Sequence, residues 1–210
     1  MKGIFSYDGI FNRMVSRIID CILLSFLWLL VSIPVVTMGA ATTAMYYTVH
    51  KIFREEEGYL LRSFWRSFKM NFRQSTLVWL GFLVFYLVFG LNAYYGYAFF
   101  ANDVLPMGML IVIGVVAAIV MAWSCYVFPY IARFKDTSKT VRKNCVYLLV
   151  RHPLRSLALL VILLGCIVLV AGVPFGLAFA PAVGAWATNG ILEPVFRLYI
   201  PKEDQEEENV

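Results

Sequence analysis

Few side chains in this sequence could do chemistry, and those that could lie at the edges of apolar runs. Asp20 opens one such run a single helical turn after Arg17, and the i, i+3 spacing lets the two pair on one helix face. A carboxylate at membrane depth is a default candidate for a proton or ion path, and a snorkelling interfacial ion pair is the plainer reading. The second candidate is Thr37-Met38-Gly39-Ala40-Ala41-Thr42-Thr43. Its three hydroxyls and small bulk, beside Pro34, could offer hydroxyls and backbone carbonyls to a substrate, and the same composition suits close helix packing. Asp20, Thr37, Gly39, Thr42 and Thr43 therefore form a possible intramembrane polar site. Asn92, Asn189 and Glu193 sit near the ends of apolar runs and make no evident chain for protons. His50 and His152 stand beside basic residues, where an interfacial position is expected. Glu55-Glu56-Glu57, before Gly58, is expected to balance nearby arginines in a turn.

Catalysis needs convergent nucleophiles, acids or metals. The sequence contains no GxSxG, HExxH, phosphate-cradling glycine loop or CxxC, so an enzyme is not expected. Cys21, Cys125, Cys145 and Cys166 lack metal-ligand or Cys/His spacing, and three of them fall in apolar segments as small hydrophobes. No cofactor is expected.

These residues are set in a matrix that is 61% apolar and only 15% charged over 210 residues, with a mean hydropathy of +0.75. A globular domain of this size could not bury that much apolar surface, which excludes soluble readings. The net charge of +5 would suggest nucleic acid in a soluble protein; in a membrane protein it marks cytoplasmic flanks, and no nucleic acid is expected. Four runs, 18–36, 75–100, 106–131 and 154–173, are long enough to cross a hydrocarbon core of about 30 Å. Two shorter runs, 38–53 and 175–190, are rich in Gly, Ala and Thr.

Charge placement decides how these runs are read. The 18 Lys and Arg residues fall into four groups: Lys2 to Arg17, Lys51 to Arg73, Arg133 to Arg155, and Arg197 with Lys202. The loop 101–105 carries only Asp103. If both short runs cross, every basic group lies on the cytoplasmic side. The expected fold is therefore an all-α, polytopic membrane bundle of six helices, with both termini cytoplasmic. It forms one membrane domain over 1–200, followed by an acidic tail over 201–210. The first run has no small-residue cleavage site after it and is expected to stay as an anchor. Leu30 to Val35 resembles Val170 to Phe175, each with a proline and then a small-residue stretch, so two Pro-broken hairpins are expected.

Two amphipathic stretches complete the picture. In 59–73, Leu61, Phe64, Trp65, Phe68 and Phe72 recur at helical spacing, and Arg62, Arg66, Lys69 and Arg73 form a second stripe. In 136–150, Asp136 or Thr137 can cap a helix in which Val141, Cys145, Leu148 and Leu149 oppose Lys139, Arg142 and Lys143. Both are expected as cytoplasmic interfacial helices, with cations toward anionic headgroups or toward a docking partner.

Several strings together resemble the YesL family, also known as domain of unknown function 624. They are Tyr7-Asp8-Gly9 with Phe11 and Arg13, Asp20 before Leu27-Trp28-Leu29, and Ser32-Ile33-Pro34-Val35-Val36-Thr37-Met38-Gly39-Ala40 with Thr43-Ala44-Met45-Tyr46-Tyr47. The last is Phe64-Trp65-Arg66-Ser67-Phe68-Lys69-Met70-Asn71-Phe72-Arg73-Gln74. The resemblance implies a bacterial cytoplasmic membrane protein whose genes often neighbour carbohydrate ABC transporters and glycoside hydrolases. It implies no known activity and carries over no site residue. It points to an accessory subunit of a carbohydrate ABC importer, touching its permease or ATPase; a small-solute or sugar transporter or channel is the alternative.

Overall fold

The computed structural model describes residues 10–53, 59–100, 104–173 and 175–199. The expectations for Tyr7-Asp8-Gly9, Glu55-Glu56-Glu57, Asp103, Pro174 and the acidic tail lie outside them. Among the described residues the chain is all helical. It forms α1 (Ile10–Ser32), a 3-10 turn (Val35–Thr37), α2 (Met38–Phe53), α3 (Leu60–Phe100), α4 (Val104–Arg133), α5 (Ser138–Arg151), α6 (Pro153–Gly172) and α7 (Gly176–Phe196).

Four of these helices, α1, α3, α4 and α6, are long and apolar enough to cross a membrane. Only 11–17% of their most apolar stretches is buried inside the protein, so these helices turn their large side chains outward, as a lipid-facing shell requires. Much of the interior belongs to α2 and α7, joined by the last turns of α4, where Tyr126, Val127, Phe128, Tyr130 and Ile131 are buried. Ala40, Ala41 and Ala44 on α2, and Ala180, Ala182 and Ala185 on α7, are fully or almost fully buried. Lipid tails are as apolar as leucine, so helices in a bilayer associate through close van der Waals contact and hydrogen bonds, which favours small residues at the crossings.

Specific polar contacts fix how the helices meet. Pro34 ends the first helix and opens the 3-10 turn, where the Thr37 N–H donates to the Pro34 carbonyl at 2.9 Å. The chain then folds back, and the Trp28 indole donates to the Thr42 hydroxyl at 3.1 Å. On α7, the Ala182 N–H donates to the Ser25 hydroxyl of α1 at 3.2 Å. α2 also lies very close on α3. A Cβ on Gly39 would collide with the Trp79 Cβ and lie 2.8 Å from the Ser75 carbonyl oxygen. Beside it, the buried Thr43 and Ser75 hydroxyls share a hydrogen bond of 2.9 Å, and the Trp79 indole donates to the Val35 carbonyl at 2.7 Å.

The structure corrects the reading of the first amphipathic stretch. Residues 60–73 are not a separate interfacial helix; they are the opening turns of α3, which begins at Leu60 and not at Ser75. No glycine or proline interrupts the helix before Gly81, so the backbone ladder has no reason to stop between the stretch and the apolar run. Packing reinforces the continuity, because Phe64 is fully buried in one cluster with Leu24, Met45 and Val49, and Phe68 packs against it. Leu61, Trp65 and Phe72 stay exposed.

The second amphipathic stretch is a separate helix with the expected faces. Val141, Cys145 and Leu148 are buried, and Lys139, Arg142 and Lys143 are exposed. Thr137 is the N-cap, but its hydroxyl pairs with that of Thr140 instead of capping the backbone. Asp136 accepts from the Tyr130 hydroxyl at 2.7 Å, Asn144 donates to that same hydroxyl at 2.8 Å, and Gln74 donates to the Asp136 carbonyl at 2.8 Å. This network fastens α5 to α4 and α3. The seventh helix also differs from expectation, running past Gly190 to Phe196. Leu192, Val195 and Phe196 recur at helical spacing and are buried, and their packing outweighs the hydrogen bond that Pro194 cannot make.

The Gly39 crossing yields a measurable contrast. Gly39→Ala is expected to lower stability by about 1–3 kcal/mol through overpacking against α3. Gly81→Ala, whose added Cβ meets nothing within 4 Å, is expected to be neutral or slightly stabilising. Unfolding of the two variants in the same detergent checks the difference, and equal effects would contradict the crossing.

Candidate functional site

At the ends of α2, α4 and α7 that lie nearest the basic stretches, the structure gathers residues that are far apart in sequence. Glu193 on α7 is fully buried. Its Oε1 lies 3.5 Å from Arg133 Nη2 of α4 and 3.2 Å from Arg197 Nε, one turn further along its own helix. Its Oε2 lies 3.5 Å from His50 Nδ1 of α2. Removing a carboxylate from water costs several kcal/mol, and that cost is offset only when cations and donors surround it. Arg133 and Arg197 supply the charge, and His50 adds to it when protonated. The side chains differ in exposure: Arg197 is 63% exposed, Arg133 19% and His50 12%. The inner pair therefore acts at lower dielectric than the outer one.

Beside this cluster lies a cavity of 160 Å³. Its polar lining comes from Tyr46, Tyr47, His50 and Lys51 of α2, Arg133 of α4, and Asn189 and Glu193 of α7. Pro129, one turn before Arg133, also lines it. Asn189 stands one turn before Glu193 and is 7% exposed, and its Nδ2 has no hydrogen-bond partner among the described residues.

The residues singled out from the sequence fall elsewhere. Asp20 interacts electrostatically with Arg17 on α1, as its spacing implies. Thr37 bonds the Val31 and Pro34 carbonyls, which closes the turn after α1. Thr42 donates to the Met38 carbonyl while accepting from Trp28, and Thr43 is held by the Gly39 carbonyl and Ser75. The structure thus brings Gly39, Thr42 and Thr43 together at helix crossings, with every hydroxyl engaged. The basic residues Arg62, Arg66, Lys69 and Arg73 all lie exposed on α3, Arg62 over the Tyr59 ring at 5.6 Å. Phe64, Trp65, Phe68 and Phe72 form a chain of ring contacts beside them. His152 sits at the α5–α6 junction, where desolvation and the neighbouring Arg155 and Arg151 lower its pKa and favour the neutral ring.

Sequence reasoning met His50, Asn189 and Glu193 one at a time and did not join them to Arg133. Asn189 and Glu193 did carry a signal. They are four residues apart near the end of an apolar run, hence on one helix face. The partners from α2 and α4 had none, because only the fold brings them there.

The buried carboxylate and the exposed Arg197 predict unequal losses. Glu193→Ala is expected to destabilise the protein by about 3–5 kcal/mol, since it removes the buried carboxylate through which α2, α4 and α7 are paired. Arg197→Ala is expected to cost about 0–1 kcal/mol, as for an exposed pair. Chemical unfolding in detergent reads both, and similar losses would show that the carboxylate is not held from the interior.

No curated protein and no solved structure matches the chain. Residues 21–93, which run from α1 through the Gly39 crossing and well into α3, match a family model. Over that segment the chain is similar to the family described as protein of unknown function, DUF624, to which the YesL proteins belong.

Proposed function

We propose that the protein is a non-catalytic membrane subunit that docks on a cytoplasmic surface of a carbohydrate ABC importer, its permease or its ATPase. The observation that carries this reading is the continuity of α3. At 1.5 Å per residue its 41 residues extend about 60 Å, twice the roughly 30 Å of a hydrocarbon core. The half bearing Arg62, Arg66, Lys69 and Arg73 lies beside the α1–α2 hairpin, whose tip packs on Ser75 and Trp79, and it keeps these four cations exposed on its outer face. A lipid anchor lies in the plane of the interface, with its rings in the acyl boundary. Here Phe64 and Phe68 are packed into the protein's own core instead, on a stripe that runs on into a spanning helix. There its cations are available to an acidic surface.

The Gln74–Asp136 hydrogen bond sets the start of α5 beside the end of this stripe. Lys139, Arg142 and Lys143 extend the same basic face. The topology that supports the reading has six helices entering the membrane and both termini cytoplasmic. The α1–α2 and α6–α7 pairs each return the chain to the side from which it came. All basic groups then share the cytoplasmic side, and the bilayer's anionic headgroups are a second, weaker partner for the same cations.

Two measurements test the proposal. Cysteines placed at Arg66 and Lys139 are expected to resist a membrane-impermeant thiol reagent in intact cells, whereas one at Tyr97 reacts; labelling at Arg66 would reverse the topology. Reversing Arg66 and Lys69 to Glu is expected to leave insertion intact, because the remaining cations still hold this side inside. It should reduce recovery of a carbohydrate permease in detergent pull-downs at least tenfold. Unchanged recovery by a normally inserted variant would reduce the stripe to a lipid anchor.

A further inference from the structure

The joint between α5 and α6 carries cations that the docking reading does not use. Arg151 ends α5, His152 is the joint, and Arg155 stands in the first turn of α6. The backbone there is firmly held. The Ser156 hydroxyl shares a hydrogen bond of 2.9 Å with the buried Tyr126 hydroxyl of α4, and lies 3.1 and 3.0 Å from the Leu149 and His152 carbonyls. Arg151 and Arg155, four residues apart, both act electrostatically on the His152 ring.

The protein compensates neither arginine. The ion pairs among the described residues converge on Glu193, and neither Arg151 nor Arg155 takes part in them. Arg155 Nη1 is shielded from solvent and has no hydrogen-bond partner among the described residues, while the side chain as a whole stays partly exposed. Arg151 is exposed and lies over the Tyr147 ring at 6.0 Å. A guanidinium that has lost part of its water and gained no protein acceptor attracts an anion more strongly than a hydrated one, because the dielectric around it is lower.

The second observation is where the joint sits. α6 is long and apolar enough to cross a membrane from Pro153 onward, so Arg155 lies in the first turn of that run and Arg151 just before it. Leu154, Leu157, Val161, Leu164 and Val168 are exposed at spacings of 3, 4, 3 and 4, which aligns them along one face of the helix. An anion suited to this place is amphiphilic, with its charge at the level of the arginines and hydrocarbon along the stripe.

We propose that the α5–α6 joint binds the phosphate group of an anionic phospholipid, held by Arg151 and Arg155, with its acyl chains along the exposed stripe of α6. Arginine suits the task better than lysine, since its planar fork gives two parallel N–H bonds to one phosphate. The site requires only that α6 span the bilayer, and so stands or falls independently of the docking reading.

The test uses the full chain in a non-ionic detergent at about 0.3 M salt, where the Debye length falls to about 6 Å and diffuse attraction is suppressed. Phosphatidylglycerol is titrated into the micelles against phosphatidylcholine at equal mole fraction, with thermal unfolding as the readout. A ligand that binds only the folded state raises the midpoint. Phosphatidylglycerol is expected to do so and phosphatidylcholine is not. Arg151→Gln and Arg155→Gln are each expected to weaken the apparent affinity about tenfold, and Lys139→Gln, on the same α5 helix, to leave it unchanged. Arg155→Lys keeps the charge and loses the fork, so a bound headgroup is weakened by it and diffuse attraction is not. Should Arg155→Gln fail to fold, Arg155→Lys and the exposed Arg151→Gln decide the matter. Equal stabilisation by phosphatidylcholine, an Arg155→Lys response equal to the parent's, or a loss in Lys139→Gln as large as in Arg151→Gln overturns the proposal. So does equal stabilisation by inorganic phosphate alone, which would make the site one for a soluble anion.

Discussion

Inside a bilayer the hydrophobic effect does not press helices together, so this fold depends on how closely its backbones can approach. One such approach is where α2 lies on α3. Gly39 leaves room for the Trp79 Cβ, and the Thr43–Ser75 pair bonds across the seam. The same device recurs where Gly176 meets the Leu169 carbonyl and Gly184 meets the Cys166 sulfur. The two helices poorest in bulk therefore occupy the centre, and the four richest in large apolar side chains face outward. A soluble protein would be arranged the other way round.

Once α2 and α7 occupy the centre, their polar residues have nowhere to go but inward. His50, Thr188, Asn189 and Glu193 follow their helices into the interior and must find partners there. Arg133 is the partner that α4 provides. The carboxylate in turn ties three helices that share no close sequence neighbours. The ion pairs are long, between 3.2 and 3.5 Å, so they hold position more than they add stability.

Much of this was legible in the residues. The four apolar runs became the outward-facing helices, and the alternation of Val141, Cys145 and Leu148 with Lys139, Arg142 and Lys143 gave both faces of α5. The continuity of α3 is not legible there, because the charge pattern changes at Gln74 while the backbone propensity does not. The end of α7 was misplaced because Gly190 and Pro194 look like a stop, yet buried Leu192, Val195 and Phe196 hold the helix on. The polar cluster was invisible for a different reason. Its members come from three helices, and a single sequence without its fold has no means of pairing His50 or Arg133 with Glu193.

The uninterrupted α3 has a mechanical consequence. It contains no proline, so along its 41 residues there is no joint at which motion of one half can be lost. A spanning helix answers a change in bilayer thickness by tilting. A rod of about 60 Å that tilts by about 10° carries its far end sideways by about 10 Å. The basic end of α3 is thus a pointer whose position reports the tilt of its membrane half. Through Gly39 and the Gln74–Asp136 bond, α2 and α5 move with it.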